Sequence, residues 1–396
     1  MVDYALSWVE QSGIKDVLLI CPSSHRPSIS HYIHSESPIS SSSLRVDIQS
    51  FDETQELSVG TCSILRHFSS RIQEDFVLLS CDFIPPQALP LSMLLNKFRS
   101  EATSDGAIAT SCWFESPTSE KSAAPDEWGS LSQCSPIVWD ESTGTLLYID
   151  TLDSADKNAE EFELRMSLLS RYPRAKLSSR FQDSHVYVCK RELLDALQRK
   201  TELDSLREDF LPWLCKVHYQ ATRRLKYGRG KEISSLRVGV IIHREEDGYC
   251  VRTNSLPTYL EANRHVALID AKASISSDST IGDFTKVDEK TTIKKSVIGK
   301  HCIIGKMVKV VGCVLLDHCV VSDGAKLEGS VLGRNTRVGS KAELVRCVTQ
   351  GGYEVKENES YQNEKLDISD WGAETEDPNE DDDEDEESDE SEEEAK

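Results

Sequence analysis

Aliphatic residues recur at regular steps between residues 275 and 349. The steps are six positions long, except for five-residue steps at 293→298, 310→315 and 327→332, so from Ile281 onward the pattern repeats every 17 positions. Three short strands per repeat predict a parallel β-helix of triangular cross-section, with the aliphatic side chains pointing to the axis. The positions are Ile275, Ile281, Val287, Ile293, Ile298, Ile304, Val310, Leu315, Val321, Leu327, Leu332, Val338 and Leu344.

Residues 1–232 have a different pattern, which is typical of an α/β sheet domain. Met1–Gln11 has helical spacing, and Gly13 is placed to end that helix. Short, nearly continuous apolar runs predict central strands of a parallel sheet covered by helices. These runs are Asp16–Cys21, Phe76–Cys81 and Ala107–Cys112. Covering helices are expected over Leu91–Arg99, Arg191–Leu197 and Phe210–Tyr219.

A connector lies between the α/β domain and the repeat, and an acidic tail follows the repeat. Residues 233–273 are expected to form a connector, with a hairpin of Arg237–His243 and Tyr249–Thr253 followed by a helix over Ser255–Asn263. The β-helix is placed at 274–349. Residues 366–396 form an acidic tail that has too little apolar surface to fold, and it is expected to be disordered. Ser388 and Ser391 lie among its carboxylates and are candidate phosphorylation sites.

Charge and cysteine content narrow the function classes. The net charge is −23, of which −15 lies in residues 371–396, leaving −8 for the rest. This balance argues against direct nucleic-acid binding. No apolar run is long enough for a membrane span, and no secretory signal is visible at the N-terminus. The twelve Cys contain no Cys-x-x-Cys pair, which favours reduced thiols in the cytosol.

Few residues are candidates for a catalytic or metal-binding role. Asp82 follows the predicted strand 76–81 and could hold Mg²⁺ only with a second carboxylate, for which Asp183 and Asp209 are candidates. We interpret Asp82 as a vestigial ligand and assign no metal, catalytic or cofactor-binding residue. His31-x-x-His34 has metal-ligand spacing but no third ligand. His301 and His318 lie in the repeat, where a general base is one interpretation and an exposed coil residue is the other.

A sheet domain followed by hexapeptide repeats resembles the sugar-nucleotide pyrophosphorylases. In that family a Gly-rich loop follows the first strand and wraps the nucleotide phosphates, whereas Gly13 and Gly60 are the only glycines at positions 1–60 here. The resemblance implies a Rossmann-like nucleotidyltransferase-type domain that is N-terminally incomplete, and a left-handed β-helix. Asp82 occupies the place of the family's strand-end aspartate. One alternative is therefore a mannose-1-phosphate guanylyltransferase-like enzyme with a truncated N-terminus.

Longer stretches are similar to the gamma subunits of eukaryotic translation initiation factor 2B. These stretches are 75–86 (DFVLLSCDFIPP), 94–99, 104–114, 181–188 and 249–263. The resemblance implies a non-catalytic subunit that pairs with the epsilon subunit, assembles with alpha, beta and delta subunits in the cytosol, and helps dock initiation factor two for GDP/GTP exchange. It implies no cofactor. A third hypothesis, a hexapeptide acyltransferase, predicts a trimer and an essential His301 or His318.

Overall fold

The computed structural model describes residues 1–41, 43–52, 59–86, 89–115, 135–150, 166–219, 236–269 and 279–367. The chain forms two compact units, which divide between Ala262 and Asn263. The acidic tail, with Ser388 and Ser391, lies outside the described residues.

The first unit contains seven helices among its described residues, and an eighth crosses the division. They are α1 Val2–Gln11, α2 Arg26–His31, α3 Thr61–His67, α4 Leu91–Ser104, α5 Met166–Arg171, α6 Glu192–Gln198, α7 Leu211–Tyr219 and α8 Leu256–Ile269. All five helices predicted from the sequence are confirmed, with ends that shift or extend. Gly13 ends α1 with φ +81°, and its N–H donates to Glu10 O at 2.9 Å.

Eleven strands lie in the described part of this unit. They are β1 Asp16–Pro22, β2 Arg45–Phe51, β3 Phe76–Leu78, β4 Phe83–Ile84, β5 Ala107–Glu115, β6 Ile137–Asp140, β7 Thr145–Ile149, β8 Ala175–Ser178, β9 Phe181–Cys189, β10 Arg237–His243 and β11 Val251–Arg252. Seven of them form one sheet in the order β3-β9-β5-β10-β7-β6-β8. β1 pairs with β2, and β4 pairs with β11, in two separate two-stranded sheets.

The predicted parallel sheet is corrected to a mixed one. β5 and β10 are parallel neighbours at its centre, but β9 runs antiparallel between β3 and β5. β5 is apolar because both of its faces are covered: Trp113 packs into one hydrophobic cluster and Phe114 into another. Of the three apolar runs predicted as central strands, only 107–112 is one. The run 16–21 forms β1 in a separate two-stranded sheet, and the run 76–81 forms β3 at the edge of the large sheet, so both are corrected, as is the strand direction.

The predicted connector hairpin is wrong. β10 lies inside the large sheet between β5 and β7, whereas β11 pairs antiparallel with β4, matching Val251 to Ile84. The turn between β10 and β11 therefore carries the chain from one sheet to another. This crossing brings Arg252 beside the loop that follows β3.

The second unit is a parallel β-helix of three sheets. Its first sheet contains β12 Thr280–Ile281, β15 Val297–Ile298, β18 Val314–Leu315, β21 Val331–Leu332, β24 Val348–Thr349 and β27 Lys365–Leu366. The second contains β13 Lys286–Val287, β16 Ile303–Ile304, β19 Val320–Val321, β22 Arg337–Val338 and β25 Glu354–Val355. The third contains β14 Thr292–Lys294, β17 Lys309–Val311, β20 Lys326–Glu328, β23 Glu343–Val345 and β26 Ser360–Gln362.

The repeat is confirmed, and its C-terminal boundary is extended. Each strand pairs in parallel with the equivalent strand of the next repeat, as Ile298 does with Leu315. The coils continue past 349 to Leu366, which is buried with Val355 in the axial core. The sequence pattern missed this end because Thr349 and Tyr361 stand where earlier coils carry aliphatic residues.

Candidate functional site

A β-bulge in β9 positions side chains where β3 and β5 end. The β5–β9 register changes from Ser111 opposite Tyr187 to Trp113 opposite Asp183, which leaves more residues on β9 than on β5. His185 takes up the extra length with φ +54°, a left-handed conformation that is uncommon for a residue other than Gly. Its N–H donates to Asp183 Oδ1 at 2.9 Å, so the bulge fixes that carboxylate.

Asp82 faces an arginine. Oδ2 accepts a hydrogen bond from Arg252 Nε at 3.0 Å, and both side chains are more than three-quarters buried. The backbone is fixed as well, because Thr253 N and Oγ1 both donate to Asp82 O, at 2.8 and 2.9 Å. Asp82 Oδ1 is buried without a hydrogen-bond partner among the described residues.

Asp183 is held by a second arginine and a tyrosine. Arg207 Nε lies 3.2 Å from Asp183 Oδ2, and Tyr187 donates its hydroxyl to the same oxygen at 2.6 Å. The Arg207 guanidinium also lies over the Trp113 ring, 5.3 Å from its centroid. Burial and the Asp183 carboxylate raise the pKa of Tyr187 well above its usual range, so the phenol stays a donor.

The charges of both aspartates and both arginines act on His185. Burial lowers its pKa; Asp183 and Asp82 oppose this shift, while Arg252 and Arg207 add to it. We call Asp82, Asp183, His185, Arg207 and Arg252 the strand-end cluster. Its two carboxylates and two guanidiniums balance in charge, and the imidazole is neutral at physiological pH.

The strand-end cluster does not fit a magnesium site. Mg²⁺ requires oxygen ligands in octahedral geometry and gains most from uncompensated carboxylates. Here each carboxylate already has a guanidinium within 3.2 Å, and a cation between Asp82 and Asp183 would meet two positive charges. The third candidate, Asp209, lies in the helical turn Leu206–Phe210, where its Oδ2 accepts from Asp204 N and Ser205 N. Sequence reasoning missed both arginines as site residues, although Arg252 lay within a stretch that carried the family resemblance.

The N-terminal histidines do not come together as a metal site. His31 Nδ1 faces Glu36 Oε1 at 3.8 Å, and His34 Nδ1 lies 2.7 Å from Ser30 O, one helical turn earlier. The described residues contain no group of three or more His, Cys, Asp or Glu side chains arranged to hold a metal ion.

His301 and His318 form part of a stack on a corner of the β-helix. Their ring centroids are 5.0 Å apart with planes at 2°, and Phe284 stacks on His301 at 5.1 Å and 6°. All three residues have φ between 56° and 61°, which the corner requires. The constant register leaves no inserted loop among the coils from 279 to 367 to build an acyl-acceptor site around either imidazole.

A cleft of about 700 Å³ opens beside β8 in the first unit, around the edge-to-face pair Trp139 and Phe181. Each of its three cations faces a carboxylate: Lys176 faces Glu141 at 2.6 Å, Arg180 faces Glu115 at 2.5 Å and Arg244 faces Glu246 at 3.6 Å. The cleft therefore has no uncompensated cation with which to attract a phosphate.

The two units together define a class: a nucleotidyltransferase-type sheet domain followed by a hexapeptide-repeat, left-handed β-helix. Residues 258–360 match the family model described as the EIF2B subunit epsilon LbH domain, which agrees with the left-handed fold expected above. No helix among the described residues is long and apolar enough to cross a membrane.

Two relatives that match beyond the repeat domain narrow the class further. The chain is 29% identical over 393 residues to "Translation initiation factor eIF2B subunit gamma" of Schizosaccharomyces pombe, covering 92% of this chain and 82% of that protein. It is 24% identical over 260 residues to the Caenorhabditis elegans protein of the same name, covering 61% and 59% respectively. The family model names epsilon, but it covers only the repeat domain, whereas the gamma matches include most of the chain. The chain is similar to the eIF2B gamma subunits, and the resemblance expected from the sequence is confirmed.

Proposed function

We propose that this chain is a gamma-type subunit of the guanine-nucleotide exchange factor eIF2B and acts in translation initiation. The observation that carries the proposal is the similarity to a gamma subunit over 92% of the chain, which includes both compact units. In this role it pairs with an epsilon subunit, joins alpha, beta and delta subunits in the cytosol, and helps dock initiation factor two.

The subunit is non-catalytic. The strand-end cluster supports this part of the proposal because Arg252 and Arg207 compensate the carboxylates that a metal-dependent nucleotidyltransferase would leave free. The cluster instead contains two ion pairs. Asp82 and Arg252 join β11 to the loop that follows β3, and Asp183 and Arg207 join β9 to the helical turn Leu206–Phe210, so each pair fixes one element against another. The sheet unit is thus a scaffold, and no cofactor is required.

The β-helix supports an assembly role. Its ladders hydrogen-bond along the prism, from each coil to the next. A prism of stacked coils is also rigid and presents three flat faces. Such an element suits a subunit that holds other proteins in fixed relation.

Affinity purification of the tagged chain from its own cells, followed by quantitative mass spectrometry, tests the proposal. Recovery of the four other eIF2B subunits in near-equal amounts, with initiation factor two, is the expected result. A chain that elutes alone or only with copies of itself contradicts it. A pyrophosphorylase assay with GTP and mannose 1-phosphate on the same sample tests the non-catalytic part, and turnover abolished by Asp82→Asn would overturn that part.

A further inference from the structure

The first coils of the β-helix expose an unusual amount of apolar surface. Ten large hydrophobic residues are exposed in the described chain, and five of them lie between residues 284 and 316. Four of these five lie on the second sheet or at its corners, and the three most exposed are Phe284 at 79%, Met307 at 63% and Ile303 at 50%; Val287 is the fourth. We call Phe284, Ile303 and Met307 the coil face. Single exposed apolar residues are ordinary, but several on one rigid face indicate an interaction site.

The backbone holds the coil face in one shape. Phe284 and Met307 occupy corner positions with φ 61° and 55°, and the stack on His301 and His318 orients the Phe284 ring. Ile303 lies between them, where β16 pairs with β13 and β19. An interface built on such a preformed surface loses little conformational entropy when it binds.

The two coils that carry the coil face are basic, whereas the chain as a whole is acidic. Four of their lysines lie on the second sheet or at its corners, and three lie on or beside the third sheet. Residues 283–309 contain seven Lys and three acidic residues, a net +4 in a chain of net −23. Among the described residues, ion pairs join later coils, as between Lys326 and Glu343 at 2.5 Å, but none joins the side chains of these lysines to a carboxylate. The lysines are Lys286, Lys290, Lys294, Lys295, Lys300, Lys306 and Lys309.

We propose that the coil face is a docking surface for a folded protein partner that presents an apolar centre within an acidic rim. An apolar core with a charged rim is the usual anatomy of a specific protein interface, and complementary rim charges select the partner and speed association. Two of the three side chains of the coil face, Ile303 and Met307, are not aromatic, which favours a protein over single-stranded RNA because RNA bases bind mainly by stacking on aromatic rings. The net charge of −23 also argues against RNA. This docking surface rests on the proposed function, because the partner is expected to be a component of the eIF2B assembly. The experiments are chosen so that failure of the docking surface and failure of the eIF2B role give different results.

Methionine oxidation provides a direct readout, because the chain contains only four Met. Met307, Met166 and Met93 are 63%, 75% and 56% exposed, so their thioethers are oxidised at comparable rates in the free chain. The tagged chain is purified with its bound proteins from its own cells, and hydroxyl-radical oxidation is compared with that of the chain purified alone. In the assembly, Met307 oxidation is expected to fall by about fivefold or more, as for a residue at the centre of an interface, while Met93 or Met166 keeps its rate.

A matched pair of variants separates docking from folding. Asn335 and Asn358 occupy the corner columns of Phe284 and Met307, with φ 60° and 61°, so Asn fits both corners without strain. Phe284→Asn/Met307→Asn should lose one protein from the purified assembly. Lys341→Asn, at the corner column of Met307 in a later coil, should keep every partner. Melting curves that match wild type confirm that both variants fold.

The outcomes decide both proposals. Unchanged Met307 oxidation in the assembly, or a Phe284→Asn/Met307→Asn variant that keeps every partner, overturns the docking surface and leaves the eIF2B role standing. Protection of Met307 in an assembly without eIF2B subunits supports the surface and contradicts the role. If ribonuclease removes the protection of Met307, the occupant is RNA. If Met307 is already protected in the free chain and loses this protection on truncation after residue 367, the occupant is the chain's own acidic tail. Either result overturns the protein partner.

Discussion

Arg252 Nε lies 3.0 Å from Asp82 Oδ2, and this contact joins β11 to the loop that follows β3. The two residues are 170 positions apart in the sequence. The contact places a cation where the carboxylate would otherwise face solvent or a metal ion. We therefore expect this ion pair to stabilise the fold rather than to serve a metal site.

Removing the cation should destabilise the first unit. Arg252→Met leaves Asp82 partly buried with neither oxygen well compensated, and we expect a loss of about 1–3 kcal/mol in the free energy of unfolding. Denaturant titration measures this loss. The double variant Asp82→Asn/Arg252→Met should recover part of it, because the unpaired charge is gone. Losses that simply add across the two sites would show that the pair is not coupled.

Magnesium should have no specific effect on stability. Because each carboxylate of the strand-end cluster has a guanidinium partner, millimolar Mg²⁺ should leave the thermal midpoint of the wild-type chain where it is in EDTA. The matched control is NaCl at the same ionic strength, which corrects for screening. A Mg²⁺-specific rise in the midpoint that disappears in Asp82→Asn would contradict our interpretation of Asp82.

His185 should make the fold acid-sensitive. Burial lowers its pKa from 6.5, so below pH 6.5 the unfolded chain binds the proton first and folding stability falls until the pH reaches the folded pKa. His185→Asn keeps a residue that accepts positive φ and removes the titrating ring. The variant should lose less stability than wild type between pH 7 and pH 5 in denaturant titrations. Equal losses over that range would assign the acid sensitivity to other groups.

Gly299 and Leu316 occupy the same column on adjacent coils, and they should respond differently to Ala. A Cβ on Gly299 would lie 2.8 Å from Asp317 N and Leu316 C, which are backbone atoms with little freedom to move. We expect Gly299→Ala to cost about 1–3 kcal/mol. Leu316 already carries a Cβ and is 37% exposed, so Leu316→Ala should cost under about 1 kcal/mol. Comparable melting temperatures for the two variants would contradict the close coil contact.

Cys81 should be the first described thiol to react with an alkylating reagent. It is exposed, whereas the other ten described cysteines are buried. Partial burial and the neighbouring Asp82 carboxylate raise its pKa, so labelling should accelerate as the pH rises above 9. Peptide mapping after brief iodoacetamide treatment identifies the site, with Cys81→Ser as the control. Earlier labelling at Cys112 or Cys189 would mean that the sheet opens locally.

The sequence predicted those parts of the fold that depend on local spacing. Thirteen aliphatic positions were enough to place the coils, because a regularly spaced inward residue on each face is a physical requirement of the prism. Strand direction in the first unit was not predicted, because β3 and β5 look alike in sequence while β9 runs between them in the opposite direction.

The candidate site was only half predictable. Asp82 and Asp183 were recognised from residue type and position, whereas their partners depend on tertiary contacts. The whole of α6 separates Arg207 from Asp183 in the sequence, and Arg252 reaches Asp82 only because β11 pairs with β4. The bulge at His185 also left no signal, since neither Gly nor Pro marks it. Ion pairs between distant segments depend on which strands are neighbours, and strand order and direction were not predicted correctly from the sequence.

The unbroken register of the coils has an evolutionary consequence. Removing or duplicating one whole turn, such as residues 314–330, returns every inward, outward and corner position to an equivalent column. A deletion of any other length would rotate buried residues onto the surface. Changes in prism length during descent should therefore occur in whole turns, each altering the span between the two ends by about 4.8 Å.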